Sequence, residues 1–216
     1  MTPAEQSALS LELCRLAPVI PVLVVDEAAE GKPLAEALVA GGLPVLEVTL
    51  RTPAALDVIR AMAEVEGGRV GAGTLLTPAD VKAAKAAGAT FGVSPGATPA
   101  LIDACCEYDL PLLAGAVTAT EVMTLLELGY TTAKFFPAET SGGAAALKAI
   151  GAPLPQMRFC PTGGIGMGNV ADYLALPNVL CVGGSWVAPK VAVAAGDWGK
   201  VRSLAAEAAA LPRPAV

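Results

Sequence analysis

The fold of this chain is decided by the pattern in LLAGAVTATEVMTLLELGYTTAKFF, residues 112–136. Its two ends, Leu112–Ala116 and Thr132–Phe136, are short apolar runs typical of buried strands. Between them, Thr120–Leu128 carries apolar side chains at helical spacing. Gly129 suits the left-handed position that often ends a helix. The stretch therefore predicts a strand, a helix and a second strand.

The same alternation continues in both directions along the chain. Further helices are predicted at Pro33–Ala40, Ala54–Val65, Pro78–Ala87 and Pro99–Tyr108, with left-handed ends at Gly41 and Gly88. Eight strand-like runs are predicted in all: Val19–Val25, Val45–Leu50, Arg69–Thr74, Thr90–Ser94, Leu112–Ala116, Thr132–Phe136, Arg158–Thr162 and Val179–Gly183. Eight βα units favour an α/β fold closed into a (β/α)8 (TIM) barrel over an open doubly wound sheet, although periodicity alone does not establish closure.

Length and composition predict one compact domain, residues 1–216. Hydrophobic residues make up 54% of the 216, and neither a linker nor a low-complexity block divides them. Thr2, Pro3 and Glu5 have the spacing of a helix capping box, so an N-terminal capping helix is predicted for the barrel. No leader or membrane-spanning run is recognised, which predicts a cytoplasmic protein.

The net charge and the residue composition exclude some classes of function. The net charge of −6 argues against a nonspecific nucleic-acid binder, whereas a small anionic substrate is compatible with it because local donors outweigh global charge. The chain has no histidine, which removes the usual partner of a catalytic thiol and most transition-metal sites. A histidine base and a histidine-bound metal are therefore not expected; no cofactor and no metal are predicted.

The cysteines are predicted to be free thiols in a reducing compartment, because they are odd in number and lack zinc-type spacing. They are Cys14, Cys105, Cys106, Cys160 and Cys181. Cys160 and Cys181 lie within or beside β-like runs and are predicted to be small core residues.

Lys134 is the strongest clue to function, because it places a charged amine inside an apolar run. Alternation puts Thr132, Lys134 and Phe136 on one face, and the other face is apolar, as expected for a strand buried on both sides. Burying an ammonium is costly unless it is paired or loses its proton, and a neutral lysine can form a Schiff base with a carbonyl. Imine chemistry is therefore favoured over the alternative, a lysine that guards an exposed sheet edge.

Glu47 and Arg51 lie on one face of the second run, together with Thr49. A carboxyl in a partly dry pocket can donate and accept protons near neutral pH, so Glu47 is predicted to act as acid and base beside Lys134. Arg51 offers a fork of donors that suits a carboxylate. The alternative is that Glu47 and Arg51 simply form a buried ion pair.

Two glycine pairs follow the last two runs, at Gly163-Gly164 and Gly183-Gly184-Ser185. Such turns leave backbone N–H groups open to an anion, and the Ser185 hydroxyl adds a donor. Many (β/α)8 barrels hold phosphate after these two strands, so a phosphate site is predicted here. Ser94-Pro95-Gly96 is either a plain tight turn or part of the pocket rim.

Six motifs together resemble the 2-keto-3-deoxy-6-phosphogluconate (KDPG) aldolase and 4-hydroxy-2-oxoglutarate (KHG) aldolase family. They follow in order over nearly the whole chain: Glu47–Thr52, Gly71–Thr74, Ser94–Gly96, Lys134–Glu139, Pro161–Ile165 and Gly183–Trp186. The resemblance implies a metal-independent class I aldolase with a trimeric (β/α)8 barrel. The implied reaction is cleavage of KDPG to pyruvate and glyceraldehyde 3-phosphate in the Entner–Doudoroff pathway.

The resemblance also implies roles for the candidate residues. Lys134 would form the imine and Glu47 would shuttle protons, so these two are the predicted catalytic residues. Arg51 and Thr74 would hold the pyruvate carboxylate, and Thr162 would lie where substrate stereochemistry is sensed. The full predicted substrate-binding set is Arg51, Thr74, Pro95, Phe136, Thr162, Gly163, Gly164, Gly184 and Ser185.

Two other functions stay open on the sequence. The nearest alternative is an enzyme that uses the same imine chemistry on another substrate. It would either cleave KHG to pyruvate and glyoxylate or decarboxylate a related keto acid. The other is a barrel that binds phosphate without covalent catalysis, or an inactive scaffold, because fold alone does not fix function. For each of these functions the expected binding partner is a small molecule, not nucleic acid or a membrane.

Overall fold

The computed structural model describes residues 1–213, so the last three residues of the predicted domain lie outside the described part. Strands and helices alternate along this part. The strands are β1 Val19–Leu23, β2 Val45–Thr49, β3 Arg69–Gly73, β4 Phe91–Val93, β5 Leu112–Leu113, β6 Gly115–Ala116, β7 Thr132–Phe135, β8 Arg158–Pro161 and β9 Val182–Gly184. All eight predicted runs thus contain strand, and the fifth is divided at Ala114.

Helices follow the strands in turn. They are α1 Pro3–Cys14, α2 Ala28–Ala40, α3 Ala55–Ala63, α4 Pro78–Ala86, α5 Pro99–Glu107, α6 Ala119–Leu128, α7 Gly143–Gly151, α8 Val170–Leu174, α9 Lys190–Ala194 and α10 Trp198–Ala209, with a short 3-10 turn at Glu139–Ser141. Capping boxes begin α1, α4 and α6 at Thr2, Thr77 and Thr118. In each box the threonine hydroxyl and a carboxylate three residues later satisfy backbone N–H groups at the helix start.

Every strand pair is parallel, as the βα alternation predicts. One sheet has the order β5-β4-β3-β2-β1-β9 and the other has the order β6-β7-β8. Single bridges also join Phe159 to Val179 and Thr162 to Gly183, beside β8 and β9. The fold is therefore α/β, built on parallel sheet that forms at least a half-barrel.

The two faces of the sheet are both apolar, and they enclose different cores. Along β2, Leu46 and Val48 pack with the helices in the larger core. Val45 faces the other way, into a smaller inner core that also contains Ile20, Phe91, Val93 and Leu113. Alternation therefore directs Glu47, two residues after Val45, to the inner face of the sheet. The same rule places Lys134 there, between Ala133 and Phe135 of the larger core.

The helix ends agree with prediction at Gly88 and Gly129, whose φ angles are +97° and +100°. Gly41 was predicted to be left-handed, and this is wrong, because it has a φ of −81°. Gly42 takes that conformation instead, with a φ of +92°. Gly41 lacks a side chain for another reason: a Cβ there would lie 2.4 Å from the Cβ of Ala205 in α10.

Helix α2 begins at Ala28, five residues before the predicted start at Pro33. Pro33 lies inside the helix. Gly31 allows this early turn to approach α3 closely, since a Cβ at Gly31 would lie 3.1 Å from the Val58 carbonyl oxygen. Among residues 1–213, no helix combines the length and apolar character needed to span a membrane.

Candidate active site

The carboxyl ends of the parallel strands surround one cavity of about 300 Å3. Because side chains at this edge come from strands far apart in sequence, the fold brings distant motifs together. Seven of the predicted site residues line the cavity: Lys134, Glu47, Arg51, Thr74, Pro95, Phe136 and Thr162. The remaining four are not part of this lining: Gly163 and Gly164 follow β8, Gly184 is the last residue of β9, and Ser185 follows it.

At the centre of the cavity, Lys134 Nζ lies 3.1 Å from Glu47 Oε1. Both side chains are almost fully enclosed, with 7% of the lysine and 3% of the glutamate exposed. The ammonium also lies 5.3 Å from the ring centre of Phe136. β7 is flanked by β6 and β8, so the alternative of a lysine guarding a sheet edge is wrong.

Burial raises the pKa of the Glu47 carboxyl, and attraction to Lys134 and the hydrogen bond from it oppose this rise. Burial and Lys134 therefore have opposite effects on the affinity of the Glu47 carboxyl for its proton, and the effect of burial is the larger. A carboxyl whose charged form is destabilised in this way retains a proton more readily than an exposed glutamate. Glu47 is therefore suited both to accept and to donate protons beside the amine of Lys134.

Gly73 provides the space that the Glu47 carboxylate occupies. A Cβ at Gly73 would lie 2.3 Å from Glu47 Oε1 and 2.7 Å from Glu47 Cγ. Gly73 pairs with Thr49 in the register of β2 and β3, so the glutamate side chain crosses the backbone of the neighbouring strand. Gly73, the second glycine of the Gly71–Thr74 motif, thus leaves room for the Glu47 carboxylate.

Arg51 does not pair with Glu47, which corrects the alternative considered from the sequence. It lies two residues beyond β2, exposed at the mouth of the cavity, and forms no ion pair within the described residues. Thr74 follows β3 with a left-handed φ of +61°, an uncommon conformation for a residue with a side chain. Both residues therefore offer donors to a ligand that enters the cavity.

Thr162 brings a buried hydroxyl to the cavity wall. The residue is 6% exposed, and its Oγ1 has no hydrogen-bond partner in the part of the chain that the structure covers. Buried hydroxyl groups normally find a partner, so this one is available to a ligand. Its neighbour across the bridge is Gly183, where a Cβ would lie 2.2 Å from Thr162 Oγ1.

The bridge from Thr162 to Gly183 places the two glycine turns side by side. Gly163 and Gly164 have φ angles of +106° and +78°, which favour glycine. The first turn is held by backbone bonds, since the Glu139 N–H donates to the Gly163 carbonyl at 3.0 Å. Ser185 is exposed and directly follows β9. Adjacent backbone N–H groups and one hydroxyl are the donors expected of an anion site.

Three residues of the site region were not predicted as site residues. Val22 and Thr49 line the cavity. The Thr49 hydroxyl donates to the Leu23 carbonyl at 2.9 Å, so it joins β2 to β1. Near the glycine turn, the buried Tyr173 donates to the Glu139 carboxylate. Alternation places Val22 and Thr49 on the inner face, but no sequence signal pairs Tyr173 with Glu139.

Comparison with known proteins shows the family of this chain. The family model described as "Aldolase: KDPG and KHG aldolase" matches residues 11–204. A protein of Pseudomonas aeruginosa named "2-dehydro-3-deoxy-phosphogluconate aldolase" is 50% identical over 197 residues, which is 91% of this chain and 90% of that protein.

Two solved structures are also similar to the chain. The Zymomonas mobilis 2-keto-3-deoxy-6-phosphogluconate aldolase with 3-phosphoglycerate has a TM-score of 0.89 and 51% identity, covering 95% of this chain and 97% of that one. The Legionella pneumophila KDPG aldolase, with pyruvate captured as a covalent carbinolamine, has a TM-score of 0.89 and 44% identity, covering 93% and 98%. The resemblance found in the sequence is confirmed, and the chain belongs to the KDPG and KHG aldolase family.

Proposed function

We propose that this chain is a class I aldolase, a lyase that cleaves KDPG to pyruvate and glyceraldehyde 3-phosphate in the Entner–Doudoroff pathway. The observation that carries the proposal is the enclosed pair of Lys134 and Glu47, 3.1 Å apart in one cavity. An amine and a carboxyl in contact, shielded from water, are the two groups that imine chemistry requires. The choice of KDPG as substrate is supported by the relatives described above, which are named as KDPG aldolases.

In the proposed mechanism, the neutral amine of Lys134 attacks the C2 carbonyl of the substrate to give a carbinolamine. Glu47 donates the proton with which the C2 hydroxyl leaves as water, and an iminium forms. Glu47, now a carboxylate, accepts the C4 hydroxyl proton while the C3–C4 bond breaks and its electron pair moves into the iminium. The resulting enamine takes the proton back at C3, and water then releases pyruvate from Lys134.

We assign the remaining cavity residues to substrate binding. Arg51 and Thr74 would hold the carboxylate next to the reacting carbonyl, because a guanidinium fork matches its two oxygens. The unpartnered Thr162 hydroxyl would meet the substrate chain where its stereocentres lie. Phe136 and Pro95 would form apolar walls around the bond that breaks.

The adjacent glycine turns would bind the substrate phosphate through Gly163, Gly164, Gly184 and Ser185. Replacing Ser185 by alanine removes one donor from a charged ligand, so KM for KDPG should rise ~10-fold with little change in kcat. The kcat/KM for unphosphorylated KHG should stay the same. Steady-state kinetics on both substrates would check this, with the exposed Ser203→Ala as the matched control. An equal loss on both substrates would contradict a phosphate role.

Gly73→Ala should lower kcat/KM by roughly 100-fold, because the new Cβ would push the Glu47 carboxylate away from Lys134. The measurement is turnover together with the melting temperature, so that a loss of fold is distinguished from a loss of alignment. Gly168→Ala is the matched control, since nothing lies within 4 Å of a Cβ there. A folded Gly73→Ala enzyme with ordinary turnover would show that the carboxylate position is not critical.

A second candidate substrate is KHG, whose cleavage gives pyruvate and glyoxylate. The family description names both substrates, and the first chemical steps are the same for each. Decarboxylation of a related keto acid would use the same imine. The ratio of kcat/KM for KDPG and KHG decides between a main and a second activity, because only KDPG can use the glycine turns.

We also infer the finer architecture. The two sheets would close into a single-domain (β/α)8 barrel through the bridges beside β8 and β9 and through Ala114 between β5 and β6. Helix α1, which packs against β5 and β7, would cap the amino end of the barrel. The predicted homotrimer and cytoplasmic location stay proposals, and the mechanism as drawn uses neither metal nor cofactor.

Incubation with pyruvate and borohydride tests the proposed chemistry directly. An imine between pyruvate and the enzyme would be reduced to a stable amine, visible by intact-protein mass spectrometry and assignable by peptide mapping. A folded protein that gives no adduct would instead support a phosphate-binding scaffold without covalent catalysis.

A further inference from the structure

Three of the five cysteines meet inside the inner core, away from the mouth of the candidate active site. Cys14 is the last residue of α1, Cys160 lies in β8, and Cys181 immediately precedes β9. Their sulfur atoms all lie within 4.8 Å of one another. The three residues are 1%, 2% and 0% exposed. We call this group the three-cysteine cluster.

The surroundings of the cluster are apolar. Its neighbours in the inner core include Ile20, Val45, Phe91 and Leu180. Packing explains why a small residue of low polarity suits each position. It does not require that three sulfur atoms lie around a common centre when Cys14, at the end of a helix, is more than a hundred residues from Cys160 and Cys181.

The spacing of the sulfur atoms matches that of a trigonal thiolate site. A thiolate binds a metal ion at about 2.3 Å, so three sulfur atoms around one ion in a plane lie about 4 Å apart. The cluster needs only a small contraction to reach this geometry, since no pair exceeds 4.8 Å. A disulfide would require two sulfur atoms at about 2.05 Å, which is a larger movement.

The three sulfur atoms of the cluster are soft ligands, which prefer a soft metal ion. Three sulfur ligands without an oxygen or nitrogen partner favour Cu(I) over Mg2+ or Ca2+, which prefer oxygen. Structural zinc sites have four ligands, and this group offers three. We propose that Cys14, Cys160 and Cys181 form a binding site for one soft monovalent metal ion, with Cu(I) as its biological example.

Metal binding changes the charge of the cluster. Each thiol that becomes a ligand releases its proton, and the bound cation offsets part of the thiolate charge. Cys160 is paired in register with Lys134 on β7, so this side of the cluster adjoins the strand that carries Lys134. The proposal does not rest on the proposed aldolase reaction, because the binding test needs no substrate.

The test is anaerobic titration of the fully reduced, full-length protein with Cu(I) in competition with a chromophoric Cu(I) chelator. We expect one Cu(I) per chain, with X-ray absorption showing sulfur ligands alone. Cys14→Ser keeps the size of the side chain but removes a soft ligand, so its affinity should fall ~100-fold or more. Cys14→Ala should show the same loss, which separates ligand removal from the effect of a buried hydroxyl.

Cys106→Ala is the matched control, because Cys106 is a half-buried free cysteine outside the cluster. It should bind Cu(I) as the wild type does. Circular dichroism and melting curves of every variant show whether the fold is retained. If both Cys14 variants unfold, Cys181→Ser is titrated with Cu(I) in their place. Equal Cu(I) affinity in the folded Cys14 variants and wild type would overturn the site. A disulfide between two cysteines of the cluster, found in protein kept under mild reductant, would also overturn the site.

Discussion

Lys134→Ala is expected to abolish both aldol cleavage and the pyruvate adduct that borohydride traps. The variant removes the nucleophile, and loss of a covalent nucleophile typically costs ~10^4-fold or more in kcat. No other lysine lines the cavity within the described residues, so none is placed to replace it. Turnover assays and peptide mapping after pyruvate and borohydride measure the two effects separately.

Two further variants make the Lys134 result interpretable. Lys134→Met retains most of the side-chain volume beside Glu47, so it should be inactive yet folded. Lys148→Ala removes an exposed lysine of α7 and should keep full activity and the adduct. Ordinary turnover in folded Lys134→Met, or an adduct mapped to another lysine, would contradict the proposed imine.

Most of the fold was predictable because local patterns and long-range packing agree. Each strand buried on both faces gives a short apolar run, and threonine caps with a nearby carboxylate mark where helices begin. The errors arose where a distant contact decides local structure. Gly41 is small because α10 packs on it, and Ala205 in that helix lies far away in sequence.

The candidate site was predictable to the extent that strand alternation holds. Lys134 and Glu47 lie within strands, so the inner face could be assigned to both. Arg51 lies beyond the end of β2, where alternation no longer fixes direction, and the sequence left its pairing with Glu47 open. The role of Gly73 was also hidden, because it depends on the space between two neighbouring strands.

The cysteines show a different limit of the sequence. Cys160 and Cys181 were correctly predicted to be buried. Nothing in their spacing brings Cys14 to them, since the approach depends on how α1 packs beneath the sheet. A motif spread over three elements leaves no local signal, whereas the chain's active-site motifs follow the strands one by one.

Glu47→Gln is expected to lower kcat by roughly 10^2–10^4-fold, the usual contribution of a positioned acid or base. The amide has nearly the same shape and its oxygen can still accept the hydrogen bond from Lys134. The cavity should therefore still bind substrate, and pyruvate should still be trapped on Lys134, only more slowly. The exposed Glu127→Gln is the matched control and should behave as wild type.

The pH dependence gives Glu47 a signature that a structural role would not produce. Burial raises the pKa of this carboxyl above its ordinary value of 4.5, against the opposing effect of Lys134. The proposed cycle starts with one proton shared between Glu47 and Lys134, and a second proton on this pair prevents attack by the amine. Activity should therefore be lost as the pH falls through the raised pKa of Glu47, at a higher pH than for an exposed glutamate. In Glu47→Gln the part of this acid limb of kcat/KM that Glu47 sets should disappear, since an amide does not titrate. If the limb persists unchanged in that variant, another group carries the proton and Glu47 only orients Lys134.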